Sequence, residues 1–575
     1  MNTLFKIVWN NIFIRNKIKN FILDGLTINV SIPYLNKYYK FLQNLDYRNH
    51  NINVCVILET FEKLDINDFL NCDHRELVTK IEFNNYKEIK STFIPHWIKF
   101  VSINNFKYKN NNSNSSNSDN SIVIEKITEG VEILQFRGYT PCLTISILPT
   151  TLKHLYSSQY GVGIDISCCD ILNSCKSVSI KQLLAPLPEN IFTNTAGNSC
   201  LEKLDLLKYT FEIQPQLIPL SITDLSLNQV HLNVLPGLHL PNIKRFYVKI
   251  FNSQLNQIKD FNFITELDIE GSVELMTSGC IPNSVKKLTL ISFNQPLLIN
   301  VLPLGLLYLD MGNKFNSTIE TGSLPSTITF LKIPSFNQQL ENGVLPSNLI
   351  YLDISKYQQT IKPSILPSSI ETLLFNHSNH IPIEIGSIPS SVKFLTLAWN
   401  LKTSVGPGVI PDSVIDLTLF CFVDDSFYIP SSVISLNLAF IPNQLYQAPN
   451  IKIPSSVTRL IIDRPLTTFK SNLIPNSVKS LSLMNQNQPL LKGNISPFVK
   501  SLHIEGSPDF NRKVSSDSII CEPKYDLCGT NKSGGFFGKH FIPNTVDLLF
   551  MPDAVLFDLT QSFDYTRPTF FDILG

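Results

Sequence analysis

At 575 residues the chain is longer than a usual single hydrophobic core. Its 47 Lys+Arg balance 47 Asp+Glu, and only 16% of residues are charged, so there is no basic stripe to favour nucleic acid and no polybasic run to favour a membrane surface. The 11 cysteines are odd in number and lack paired spacing, which argues against a disulfide framework.

The N-terminal stretch sets Leu4, Phe5, Val8, Trp9, Ile12 and Phe13 at helical spacings, and an aromatic-rich segment runs from Tyr34 to Leu45. Residues 1–70 are therefore expected to form a small helical head that caps the remainder of the chain. Lys6, Asn10, Asn11 and Arg15 interrupt the apolar run and no small-residue cleavage site comes after it, so it does not read as a signal peptide. No stretch reaches membrane-spanning length. The expectation is an intracellular, cytoplasmic protein with neither a membrane nor a nucleic-acid partner. Zero net charge on so apolar a chain leaves self-association open.

From about residue 75 to 575 a signature recurs: Ile/Leu-Pro, then Val-x-x-Leu-x-Leu. Its fullest copy runs from Ile281-Pro282-Asn283-Ser284-Val285 through Leu288-Thr289-Leu290 to Phe293-Asn294-Gln295-Pro296-Leu297. The first strand leucine gives 15 anchors: Leu204, Leu225, Phe246, Leu267, Leu288, Leu309, Leu331, Leu352, Leu373, Leu395, Leu417, Leu436, Leu460, Leu481 and Leu502. Successive anchors differ by 21 or 22, except for a 19 and a 24 around Leu436 that cancel. Weaker copies lie at Leu77 to Phe83, Ile94 to Ile103, Val131 to Phe136, Leu148 to Leu155 and Ile542 to Leu549, and a degenerate coil is expected between Leu155 and Leu204. About 20 coils are read in all.

A fixed period of this length means stacked coils rather than one globular core. Leu288-Thr289-Leu290 alternates as a half-buried strand does, and stacking makes the strands parallel. Two prolines in one 21-residue coil, Pro282 and Pro296, oppose a full helix on the back of that coil. The proline slips where the strand does not: Pro241 and Pro497 each stand one residue closer to Ile243 and Val499. The fold class expected is a β-rich solenoid, a leucine-rich-repeat-like stack of 21–22-residue coils with a parallel strand face. Two insertions interrupt it, an Asn/Ser-rich tract at 110–120 and a Cys- and Gly-containing segment at 505–541.

Val-x-x-Leu-x-Leu is similar to the strand half of leucine-rich repeats. Phe293-Asn294-Gln295-Pro296-Leu297 after an Ile-Pro-x-Ser-Val start resembles the FNIP repeat, and Phe336-Asn337-Gln338-Gln339-Leu340 keeps part of it. That resemblance implies an interaction scaffold without catalytic residues. Some FNIP-repeat proteins carry an F-box, whose Leu-Pro start and spaced Ile/Leu pattern are not found in residues 1–70. Ordinary leucine-rich repeats place Asn three residues after the last strand leucine. Phe293 holds that place here, with Asn294 one further on, so a Phe stack is expected as the spine rather than an asparagine ladder.

Candidate chemistry is sparse. Gly529 to His540 looks like a phosphate loop, but Ser533 stands where its first glycine belongs and His540 replaces the hydroxyl. Cys521 with Cys528, Cys168 with Cys169 and Cys175, Cys72 with His74, and His377 with His380 each fall short of four local metal ligands. No triad or carboxylate pair appears, so no enzyme, cofactor or metal is expected. The strand face carries the better signal. The outward position before each anchor reads Tyr308, Phe330, Tyr351, Thr372, Phe394, and the position between the leucines reads Asp310, Lys332, Asp353, Leu374, Thr396. Aromatics flanked by charge suit a protein-binding surface, with Tyr308, Asp310, Phe330, Lys332, Tyr351, Asp353 and Phe394 its candidates. The alternative for the aromatics is a ladder that only stiffens the sheet. Glu266, Asp268 and Glu270 form an acidic spot upstream. Three functions are compatible: a scaffold binding a protein partner, an adaptor docking ligase-like machinery through the head, or a self-assembling structural protein.

Overall fold

A computed structural model describes residues 27–45, 52–59, 66–86, 88–105, 122–124, 126–138, 143–145, 148–157, 164–165, 174–180, 186–188, 191–193, 197–207, 209, 211, 213, 217–228, 240–251, 255, 258–259, 261–272, 276–377, 383–399, 405–421, 427–439, 452–463, 473–486, 495–506, 548–551 and 554–558. The helical spacings of residues 4–13, the 110–120 tract, the phosphate-loop look-alike, Cys168, Cys169, Cys521, Cys528 and His380 lie outside those residues. The chain divides into two units, one up to Val273 and one from Glu274.

In the first unit, strands Thr27–Asn29 and Asn53–Glu59 alternate with helices Ile32–Gln43 and Ile66–Leu70. The parallel ladder thus starts ahead of residue 75: Ile28 pairs with Val54, and Val56 with Ile81. Asn53–Glu59 carries no proline signature and is buried at most positions, so no repeat pattern announces it. From Ile81 the register runs through Val101, Leu134, Leu155, Val178, Leu204, Leu225 and Phe246 to Leu267. Val178 is the anchor of the coil expected between Leu155 and Leu204. A second parallel sheet of short strands, Glu88–Ile89, Ile122–Ile124, Leu143–Ile145 and Ile164–Asp165, makes the backs of these early coils extended.

In the second unit the anchors pair in register from Leu288 to Leu549 through parallel strands, and a final antiparallel strand, Ala554–Asp558, lies on Leu548–Met551. Among the described residues of this unit none is helical, and the coil backs are turns joined by one isolated bridge, Leu297 to Ile319. Ile281, Val285, Leu288, Leu290, Phe293 and Leu297 are each at most 2% exposed, so six side chains per coil face the core as their spacing requires. Such burial contributes ~1.5–3 kcal/mol per side chain, most of it offset by chain entropy.

The proline has a backbone task. Val285 N–H donates to the Pro282 carbonyl, and the same turn recurs from Ile328 to Pro325, Val392 to Pro389 and Val478 to Pro475. In the slipped coils Ile243 donates to Leu240 and Val499 to Ser496, which puts Pro241 and Pro497 second in the turn, where proline is also favoured. A carbonyl from any residue closes this turn, so the proline is free to slip while the strand keeps its place.

Two devices link coil to coil beyond the strands. The Ser/Thr two residues after the proline donates its hydroxyl to the preceding coil: Thr327 to Leu306, Ser369 to Leu349, Ser391 to Ile370, Ser413 to Val392 and Ser432 to Val414. An asparagine ladder, not expected from the sequence, stands beside the Phe stack. Asn294 Oδ1 accepts the Asn316 N–H, Asn316 Oδ1 that of Asn337, and Asn337 Oδ1 that of Gln358, each at 2.7 Å. Moving the asparagine one place along lets phenylalanine fill the core while the amide still spans the gap between coils.

Candidate protein-interaction face

Phe293, Phe315, Phe336 and Tyr357 stack along the inside of four coils, ring centroids 5.9, 6.0 and 6.2 Å apart. Phe375 continues the column at 6.2 Å but tilted by 45°. The four leading rings are at most 1% exposed, and Tyr357 Oη accepts the Leu340 N–H at 3.1 Å. This is the spine expected from the sequence.

On the strand face of the same coils a second column stands. Tyr308 pairs with Phe330, and Phe330 with Tyr351, in direct register. Their rings stack at 4.2 and 4.0 Å with interplanar angles of 11° and 6°. The ring centroids are closer here than along the spine. Lys287 Nζ sits 5.2 Å over the outer ring of Tyr308. The three rings are half-buried and present their edges. At the strand entries Leu307 and Ile350 are each 47% exposed, and Leu304 in the turn before is 78% exposed.

The charged candidates are placed differently from expectation. Asp310 and Asp353 lie on the outward strand face yet are only 9% and 5% exposed. Each carboxylate turns back on its own chain, Asp310 Oδ1 accepting the Gly312 N–H at 2.8 Å and Asp353 Oδ1 the Ser355 N–H at 3.0 Å. They close the strand-end turn rather than offering free charge. Gly312 meets that turn at φ +64°, and a Cβ there would clash with the Ile291 carbonyl oxygen at 2.5 Å. Lys332 Nζ lies 3.2 Å from Asp310 Oδ2. Burial works against its charge, but Asp310 and then Asp353 outweigh it and hold the amine above the ordinary lysine range. Burial, with Asp353 next, pushes the Tyr351 phenol up.

Phe394 is not stacked with the trio. Tyr351 pairs with Thr372, and Thr372 with Phe394, so a short side chain interrupts the aromatic column. Phe394 is 46% exposed. Sequence reasoning missed Lys287 and the apolar flank of Leu304, Leu307 and Ile350. Lys287 was legible as the residue one coil before Tyr308 in the same column.

The acidic spot of the first unit is largely paired, with two cations set against its three carboxylates. Arg245 lies 3.1 Å from Asp268 and 3.9 Å from Glu266, while Lys249 reaches Glu270 at 2.7 Å and Tyr247 donates to the same carboxylate. Asp268 is 6% exposed. Lys99, Glu132 and Lys153 pair likewise at 3.1 and 2.6 Å, and the lysines overcome the cost of burial to hold Glu132 below the usual carboxylate range. The charges of this strand face are spent mostly on one another.

Chemistry-bearing groups are few. Burial pushes the Cys55 and Cys175 thiols up to about 12, which leaves them inert. Cys72 is buried beside Asn36. Among the described residues no group of three or more His, Cys, Asp or Glu could hold a metal ion, and no helix is long and apolar enough to cross a membrane. A cavity lined by Leu373, Phe375, Ile383 and Ser387 offers about 10 Å³, room for one water.

The FNIP Repeat family model matches residues 276–314, 315–357 and 357–400, the coils that carry both aromatic columns and the asparagine ladder. The chain carries FNIP repeats. A curated relative, "Probable serine/threonine-protein kinase fnkE" of Dictyostelium discoideum, is 30% identical over 173 residues, 28% of this chain. The match spans only 13% of that relative's own length. Among solved structures, the circular leucine-rich-repeat protein CroV588 is similar at 20% identity and TM-score 0.37, over 91% of this FNIP-repeat chain and 69% of that one. The plant peptide hormone receptor RGFR1, solved in complex with RGF2, is similar at 12% identity and TM-score 0.27, over 84% and 85% of the two chains.

Proposed function

We propose that this FNIP-repeat chain is a non-enzymatic scaffold whose protein partner meets the strand face of the coils Leu309 to Leu395. The observation that carries the reading is the half-buried column Tyr308–Phe330–Tyr351 with Leu304, Leu307 and Ile350 exposed alongside. Aromatic anchors beside apolar flanks are what binding hot spots are made of. The acidic spot of the first unit, by contrast, is paired internally and offers little to a partner.

The test compares partner capture by the whole chain and by the triple variant Tyr308→Ala/Phe330→Ala/Tyr351→Ala, after circular dichroism shows equal strand content. The scaffold reading expects partners lost from the folded variant. An unchanged set would make the column a stiffening ladder and move the search to residues 1–70, where an adaptor would dock its machinery. Oligomers that form with rising concentration and survive the triple substitution would favour self-assembly instead.

A further inference from the structure

The aromatic column has two ends, and the chain treats them differently. At the Tyr308 end the open ring face is covered by a cation, Lys287 Nζ at 5.2 Å from the centroid. At the Tyr351 end the next position in register is Thr372, and beyond it Phe394. One rung is missing between two rings. With rungs at 4.0–4.2 Å, Tyr351 and Phe394 stand two rungs apart. That separation, about 8–10 Å on the strand spacing, suits one planar group stacked on both sides.

Charge decides which planar group. Asp310 and Asp353 are spent on turns of their own chain, but of the strand-face residues around Thr372 the acids Glu371 and Asp416 outnumber the one base, Lys393, and Asp416 stands in direct register with Phe394. Glu371, the residue before Thr372, stays on the rim with its side chain 45% exposed while its Oε1 holds Lys393 at 2.8 Å. A guanidinium is flat, permanently charged and weakly hydrated, so it stacks on aromatic faces where an ammonium prefers water. Resting on the scaffold reading, which it sharpens, we propose that the gap at Thr372 is a socket for an arginine side chain of the protein partner, its guanidinium held between the rings of Tyr351 and Phe394 beside Glu371.

The test uses the full chain and N-acetyl-arginine amide as the probe, with the lysine, phenylalanine and glycine amides as controls, read by saturation-transfer NMR. Thr372→Phe restores the missing rung and fills the socket, and Thr372→Ser leaves it open. The socket expects arginine amide to be preferred to the other three, about tenfold weaker binding to Thr372→Phe, and no change with Thr372→Ser. Arginine amide bound no better than glycine amide, or equally by Thr372→Phe, overturns it. Preference for phenylalanine amide also overturns it, since the gap would then take a ring. Partner capture separates the two claims. Capture lost in the Tyr308/Phe330/Tyr351 triple variant but kept by Thr372→Phe sinks the socket and leaves the scaffold standing. Capture indifferent to all four substitutions sinks both.

Discussion

The same coils carry two aromatic columns that differ in what covers them. Phe293, Phe315, Phe336 and Tyr357 are sealed inside at 5.9–6.2 Å, whereas Tyr308, Phe330 and Tyr351 stack at 4.0–4.2 Å with their edges in water. The inner rings are at most 1% exposed among the other core side chains, so packing constrains their size. The outer rings satisfy each other's faces but leave their edges and the flanking Leu307 and Ile350 uncovered. Stacking alone does not account for that uncovered apolar edge, and this is why recognition is placed on the outer column.

The contrast is broken most directly by truncating one ring from each. Phe315→Ala opens a cavity at a fully buried site and is expected to destabilise the second unit by ~3–5 kcal/mol. Phe330→Ala loses two stacked contacts at a half-buried site and leaves no sealed cavity, for ~1–3 kcal/mol. The midpoints of urea unfolding for the two variants check this. Similar losses would mean that the outer column is as structural as the inner one.

Next in size come the links between coils. Asn316→Ala removes the acceptor of the Asn337 N–H and is expected to cost about 1–1.5 kcal/mol, with faster hydrogen exchange at that amide. Ser413→Ala removes the hydroxyl bond to the Val392 carbonyl at 2.7 Å, for about 0.5–1 kcal/mol. Exchange unaltered at Asn337 would show that water replaces the asparagine without loss.

The repeat was legible because each anchor leucine must face the core once per coil. The spacing alone therefore placed Leu204 through Leu502, and within each unit their parallel pairing is a consequence of it. Hidden from the sequence is anything decided by the neighbouring coil. Asp310 and Asp353 alternate as exposed residues do, yet both turn back to bond the N–H two residues on. The Pro-x-Ser serine looks like an ordinary surface residue until the preceding coil supplies its carbonyl. Asn294 lies one place off the usual leucine-rich-repeat position, which hid a ladder visible only when consecutive coils are laid side by side. For the site, the stacking of Tyr308, Phe330 and Tyr351 was readable from their shared column. The burial of the flanking aspartates was not.

The smallest effect tests the two columns through their tyrosines. Tyr357 is sealed within the spine, and burial raises its phenol above the ordinary value of 10.0 although the Leu340 N–H favours ionisation. Tyr351, half-exposed, is raised first by burial and then by Asp353. In both cases the unfolded chain gives up its proton near pH 10 while the folded chain still holds it. The stabilising contribution is therefore complete below pH 10 and is lost as pH climbs through the folded values. Tyr357→Phe is expected to flatten the fall in urea midpoint above pH 10, and Tyr351→Phe to flatten it less because water screens a half-exposed ring. If Tyr351→Phe flattened the curve more, burial and Asp353 together would hold the outer phenol's proton more firmly than the spine holds that of Tyr357, and the picture of an outer column screened by water would fail.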